Sequence, residues 1–160
     1  MTIAVGERIP DVQVRTLGAD GPKPVGTADV LGRGKVVLFA VPGAFTPTCS
    51  DHHLPGFLLR ADDLRAKGVD TIACIAVNDA FVMGAWGRDR GVDGRILMLA
   101  DGNAEFTRAM GLELDASAAG LGPRSRRYAA VLQDGVVTAL EVEEAAGLEV
   151  SSADAVLAAL

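Results

Sequence analysis

The run Lys35-Val36-Val37-Leu38-Phe39-Ala40-Val41-Pro42-Gly43-Ala44-Phe45-Thr46-Pro47-Thr48-Cys49-Ser50 decides how the rest of the chain is read. After the lysine, its first residues are continuously apolar, the pattern of a strand covered on both faces between helical layers. Pro42-Gly43 stops that strand, and the residues that follow turn the chain into a helix. Thr46 is placed to be the N-cap and Pro47 the first helical residue, where its missing N–H costs nothing. Cys49 then falls in the first turn. The helix is predicted to reach about residue 67, with a kink at Pro55, and to close at Gly68.

Toward the C-terminus, residues 69–77 form a second apolar run, which puts Cys74 in the middle of a central strand. Asn78-Asp79 starts a helix toward Gly91, residues 95–100 form a third strand, and residues 104–110 a further helix. Asp134-Gly135, between Tyr128–Gln133 and Val136–Val142, is the strongest hairpin signal in the chain. Ser151 or Ser152 caps a last helix that ends at Leu160. Toward the N-terminus, residues 9–17 alternate loosely as a strand, and residues 18–26, with Pro22 and Pro24, read as a turn-rich connection. This order predicts an α/β, thioredoxin-like fold: a central mixed sheet with a parallel core, an antiparallel end, and helices on both faces. With 160 residues, no repeat and no linker, a single domain over 1–160 is expected.

Composition narrows the function. The balance of 15 basic against 21 acidic residues gives a formal charge of -6, so no overall positive field draws in nucleic acid or an anionic membrane. No apolar run approaches a membrane span, and residues 1–14 lack a basic region followed by an apolar stretch and cleavage site. A cytoplasmic protein is expected. The only two cysteines, Cys49 and Cys74, exclude a disulfide framework and the usual four-ligand zinc patterns.

Cys49 is the first candidate for chemistry. A thiol in the first turn of a helix lies beside unpaired backbone N–H groups and the positive end of the helix dipole, and both favour the thiolate, the nucleophilic form. Cys74, between Ile72-Ala73 and Ile75-Ala76, reads as a packing residue, with a role in resolving an oxidised Cys49 only if the fold opens locally. The Thr46 hydroxyl suits a small protic substrate as well as a helix cap. Pro42, with no N–H, is placed to keep water from a thiolate. His52 and His53 raise a cysteine hydrolase or a metal site with Cys49 and Asp51, but the expected helix directs both rings along or away from the Cys49 face, toward solvent. Among Arg124, Arg126 and Arg127, strand alternation sends Arg126 and Arg127 to opposite faces, so one of them can enter a site. An arginine there holds a thiolate and a departing oxyanion together through a fork that never loses its charge; a solvated strand edge accounts for the same residues.

These residues together resemble the peroxiredoxin family, in its type II (peroxiredoxin-five-like) subgroup. Residues 41–50 carry the subgroup's Pro-x-x-x-Thr-x-x-Cys signature, and His53-Leu54-Pro55-Gly56-Phe57, Val77-Asn78-Asp79-Ala80-Phe81-Val82 with Trp86-Gly87, Arg124-Ser125-Arg126-Arg127-Tyr128 and Gln133-Asp134-Gly135 are also similar to it. The resemblance implies a thiol peroxidase on a thioredoxin fold, reducing hydrogen peroxide and organic hydroperoxides without a cofactor or metal. It implies Cys49 as the peroxidatic cysteine, Thr46 as the hydroxyl that orients the peroxide, Pro42 as the shield and Arg127 as the activating arginine. Some members place a resolving cysteine near the C-terminus; residues 147–152 contain none. A one-cysteine cycle is therefore expected, reduced by glutathione with glutaredoxin or by thioredoxin. Members are often dimers, and Phe45, Phe81, Val82 and Trp86 are the apolar candidates for such a face. A peroxide sensor or redox relay, passing oxidation to a partner protein, is the alternative to bulk turnover.

Overall fold

The computed structural model describes residues 1–144 and 147–160. In chain order the strands are β1 (Gln13–Gly18), β2 (Gly21–Gly26), β3 (Lys35–Ala40), β4 (Thr71–Ala76), β5 (Leu97–Ala100), β6 (Glu113–Asp115), β7 (Pro123–Ser125), β8 (Tyr128–Gln133) and β9 (Val136–Val142). The α-helices are α1 (Thr27–Leu31), α2 (Leu54–Leu59), α3 (Ala61–Ala66), α4 (Ala80–Asp89), α5 (Glu105–Met110) and α6 (Ala153–Ala159), and a π-helical turn spans Cys49–His53. Seven strands form one sheet in the order β2-β1-β5-β4-β3-β8-β9. β3, β4 and β5 run parallel, as continuous apolar strands should when helices cover both faces. The expected antiparallel end is the β8–β9 hairpin beside β3, turning at Asp134-Gly135 with both residues at positive φ. A second antiparallel end, β1 and β2 beside β5, was not expected.

That second end corrects the reading of residues 18–26 as a turn-rich connection: only residues 19–20 are the turn, and Gly21–Gly26 form β2. β2 is the outermost strand, and Pro22 and Pro24 are two residues apart, so their missing N–H groups share one direction. A strand that needs hydrogen bonds on one side only accepts proline on the other. The short β6–β7 hairpin carries no periodic signal because it is largely exposed and packs on little.

The predicted helix after Cys49 is present but divided. Pro47 and Thr48 begin it, the π turn follows, and a break at Arg60 separates α2 from α3. Pro55 accounts for the π turn. It cannot donate back to Asp51, and the widened register begins one residue earlier, where the Leu54 N–H donates to the Cys49 carbonyl, five residues back. Elsewhere the caps hold: Asp79 accepts from the Val82 N–H at 2.9 Å, and Ser152 from the Ala155 N–H at 3.1 Å.

Two cores flank the sheet. Val36, Leu38 and Ala40 of β3 face one with Leu31, Phe106 and Met110, while Val37 and Phe39 face the other with Cys49, Phe57, Cys74 and Trp86. Phe39 stacks on Phe57 with ring centroids 4.1 Å apart and planes 6° from parallel. Phe39→Ala removes a fully buried ring at the centre of this packing, so denaturant titration should show a loss of about 3–5 kcal/mol in unfolding free energy.

Candidate active site

β3 delivers the chain to Val41, and the loop 41–46 turns it into the helix. The loop is held by side chains as well as by its own backbone. The Ala44 N–H donates to Asn78 Oδ1 at 2.9 Å, which ties the loop to the end of β4. Phe45 has φ 68°, a left-handed conformation that costs a bulky residue about 1–3 kcal/mol and persists only where the surroundings enforce it. The Thr46 carbonyl accepts from the Ser50 N–H at 2.9 Å, as expected of the residue before a helix, but its hydroxyl donates to the Gly43 carbonyl at 2.7 Å. That leaves the lone pairs of Oγ1 to accept from a protic ligand. Cys49 follows in the first turn and is fully buried.

Arg127 lies in the two-residue connection between β7 and β8. Its side chain turns inward to a 9% exposed position, and Nη2 donates to Cys49 Sγ at 3.1 Å. Nη1 donates to His53 Nδ1 at 2.9 Å. Arg126 points elsewhere and reaches the Glu143 carbonyl at 3.3 Å, and Arg124 reaches the Pro42 carbonyl at 3.4 Å. Both residues lie in the connection outside the strands, so strand alternation does not sort them: Arg127 turns inward to the sulfur, while Arg126 holds the Glu143 carbonyl and lines the same cleft as Arg127. The Arg127 guanidinium is thus placed to give the Cys49 sulfur a charge-assisted hydrogen bond. Beside it opens a cleft of ≈ 410 Å³, walled by Pro42, Thr48, Leu114, Arg126 and Arg127 among others. The loop and the arginine therefore meet at one sulfur, beside a cleft large enough for a small ligand.

A family model described as Redoxin matches residues 4–157. This chain belongs to the Redoxin family. Peroxiredoxin-2E-2, chloroplastic, of Oryza sativa subsp. japonica is 54% identical over 164 residues, covering 99% of this chain and 73% of that one. Peroxiredoxin-2B of Arabidopsis thaliana is 47% identical over 159 residues, covering 99% and 98%. The crystal structure of reduced Prx3 in complex with hydrogen peroxide from Vibrio vulnificus matches with a TM-score of 0.94 at 51% identity, covering 99% of each chain. The protein is a peroxiredoxin of the type II, peroxiredoxin-five-like kind: a thiol peroxidase on a thioredoxin-like fold.

In this peroxiredoxin His53 corrects the sequence reading. It is fully buried, between Phe39 and Phe57 at ring-centroid distances of 5.0 and 5.6 Å, and only His52 is exposed. The signal was present: four residues along a helix is the same face, so His53 should follow Cys49 inward. Because Arg127 can only donate, Nδ1 must be the bare nitrogen, and Nε2–H donates to the Ser151 carbonyl at 2.9 Å. Both ring nitrogens are thus committed, which removes the base that a cysteine hydrolase needs. Other contributors carry no sequence signal of their own. Trp86 Nε1–H donates to Ser50 Oγ at 2.9 Å in the buried π turn, and Trp86 is a core residue, not a face for a partner.

Cys74 is fully buried on β4, opposite Phe39 and Met98, in the same core as Cys49. Burial, reinforced by the neighbouring Cys49 charge, pushes its thiol well above the ordinary value. It is a neutral thiol under ordinary conditions and a poor nucleophile as it stands.

Burial pushes the His53 pKa down to about 3 from 6.5, with the Arg127 charge adding to the fall and the Ser151 carbonyl and Glu143 opposing it. The unfolded chain therefore binds a proton that the folded one refuses. The stabilisation is complete above about pH 6.5 and is lost as pH falls toward 3. Denaturant titrations across that window should show unfolding free energy declining with acidification, and His53→Leu should flatten the upper part of the curve.

Proposed function

We propose that Cys49 attacks the terminal oxygen of hydrogen peroxide or an organic hydroperoxide. The thiolate lone pair forms the S–O bond as the O–O bond breaks, leaving a sulfenic acid on Cys49. The departing oxygen takes the electron pair and then a proton, and leaves as water or an alcohol. The observation that carries this reading is the buried Arg127 guanidinium donating to Sγ at 3.1 Å. In the transition state the same fork faces the oxygen on which charge develops. Thr46 Oγ1 accepts the peroxide O–H, and Pro42 walls off water.

Regeneration falls to an external thiol, glutathione with glutaredoxin or thioredoxin, in a one-cysteine cycle. The burial of Cys74 supports this, since it holds that thiol in its neutral form, a poor resolving nucleophile. The reducing cytoplasm suits two free thiols, and the single domain over 1–160 works as a homodimer. Exposed Phe45 and Phe81, 49% and 63% accessible, with half-buried Val82, are its contact residues. Phe81→Glu should shift the sedimentation coefficient to that of a monomer.

One equivalent of peroxide per reduced chain, followed by intact mass, tests the chemistry. Wild type and Cys74→Ser should consume it rapidly and gain one oxygen, whereas Cys49→Ser should be inert. Arg127→Ala should slow the reaction by about 10²–10³-fold, the usual effect of losing a transition-state donor. Arg127→Lys should not restore it, because a single ammonium nitrogen lacks the planar fork whose two separate nitrogens reach His53 and the sulfur. A mass loss of two hydrogens that depends on Cys74 would instead assign it as the resolving thiol.

A further inference from the structure

Beyond the residues that touch the sulfur, one buried carboxylate closes a ring of contacts around Arg127. Glu143 lies just past β9 and is 8% exposed. Its Oε2 accepts from three successive backbone N–H groups, Glu149 at 2.9 Å, Val150 at 2.9 Å and Ser151 at 2.8 Å, and from the Ser151 hydroxyl at 2.7 Å. Three consecutive N–H groups converging on one oxygen make an anion-binding nest, here occupied by the chain's own carboxylate. Burial opposes ionisation, but the hydrogen bonds from Ser151, Glu149 and Val150 prevail and hold the Glu143 carboxyl below its ordinary value.

Ser151 faces both ways. Its N–H and hydroxyl hold Glu143, and its carbonyl receives His53 Nε2–H at 2.9 Å. His53 in turn receives Arg127, which holds the Cys49 sulfur. The Glu143 backbone N–H donates to the Arg127 carbonyl at 2.9 Å. Glu143 therefore grips Arg127 from two sides, directly at the main chain and through Ser151 and His53 at the guanidinium.

We propose that Glu143 is a positioning residue for the peroxidase reaction, anchoring the segment 149–151 so that the Ser151 carbonyl and His53 aim Arg127 at the Cys49 sulfur. Among the described residues the guanidinium's hydrogen-bond partners are the imidazole and the sulfur, which its two nitrogens must reach together. The inference rests on Cys49 being the attacking thiolate.

The test is peroxide consumption by the reduced full chain in stopped flow, with thiolate ultraviolet absorbance and thermal melting on the same samples. Glu143→Gln should react about tenfold or more slowly, as expected for a misplaced catalytic group, while remaining folded. Its Cys49 thiolate absorbance should fall, a change that a merely structural role leaves untouched. Ser151→Ala should lose less, and Glu143→Gln combined with His53→Ala should lose no more than His53→Ala alone. Glu141→Gln, with the same charge change at an exposed position of β9, should react like the parent. A folded Glu143→Gln within about twofold of the parent rate overturns the proposal, as do losses that add in the double variant or unchanged thiolate absorbance. If Glu143→Gln does not fold, a parent rate in Ser151→Ala overturns it. Parent-like consumption by Cys49→Ser sinks the assignment of the thiolate, whereas a need for Cys49 with Glu143→Gln at full rate sinks only this inference.

Discussion

A guanidinium buried against a sulfur is the constraint on which the rest of this structure depends. Burying the charge of Arg127 is costly unless every side of it is met, and breaking such a pair leaves an uncompensated charge in the interior. The fold meets it with the Cys49 sulfur on one nitrogen and the His53 imidazole on the other. Both partners come from one stretch of helix, four residues apart, while the arginine arrives through the connection into β8, the strand paired with β3. The site is therefore as rigid as the packing of that helix on β3 and β8.

That packing is not ideal helix on ideal sheet. The first turns after Cys49 are widened into a π turn because Pro55 cannot complete the α register. The widened turn is secured by side chains, with Trp86 on Ser50 and Phe39 and Phe57 around His53. The loop before it carries a left-handed Phe45 and is tied by Asn78. Locally unfavourable backbone thus collects on both sides of Cys49. The carboxylate of Glu143 extends the same network to the segment before α6, so that segments far apart in sequence share one set of hydrogen bonds with the sulfur.

The parallel core, the hairpin at Asp134-Gly135, the strand carrying Cys74 and the caps at Asp79 and Ser152 were all legible, because each depends on interactions within a few residues. β2 was not, since two prolines speak against a strand unless it lies at an edge, and edge position is a property of the assembled sheet. The β6–β7 hairpin was not, for want of any buried face. In the site, Cys49, Thr46 and Pro42 stood out through their spacing at a strand-to-helix turn. His53 was misread as solvent-facing although the four-residue spacing carried the contrary signal.

By itself, the sequence determined the central elements and where Cys49 falls among them: a twice-covered strand, a turn, and a thiol at the start of a helix follow from local patterning and from the stereochemistry of Pro and Gly. It also marked three arginines as candidates without distinguishing them on physical grounds. Only the tertiary structure decided that Arg127 enters, that His53 holds it, and that Glu143 and Ser151 brace His53. The reason is physical. Those contacts join residues 74, 78 and 98 positions apart, and no periodicity or capping rule reaches across such distances. Their partners are selected by the need to satisfy buried polar groups once the sheet has brought them together.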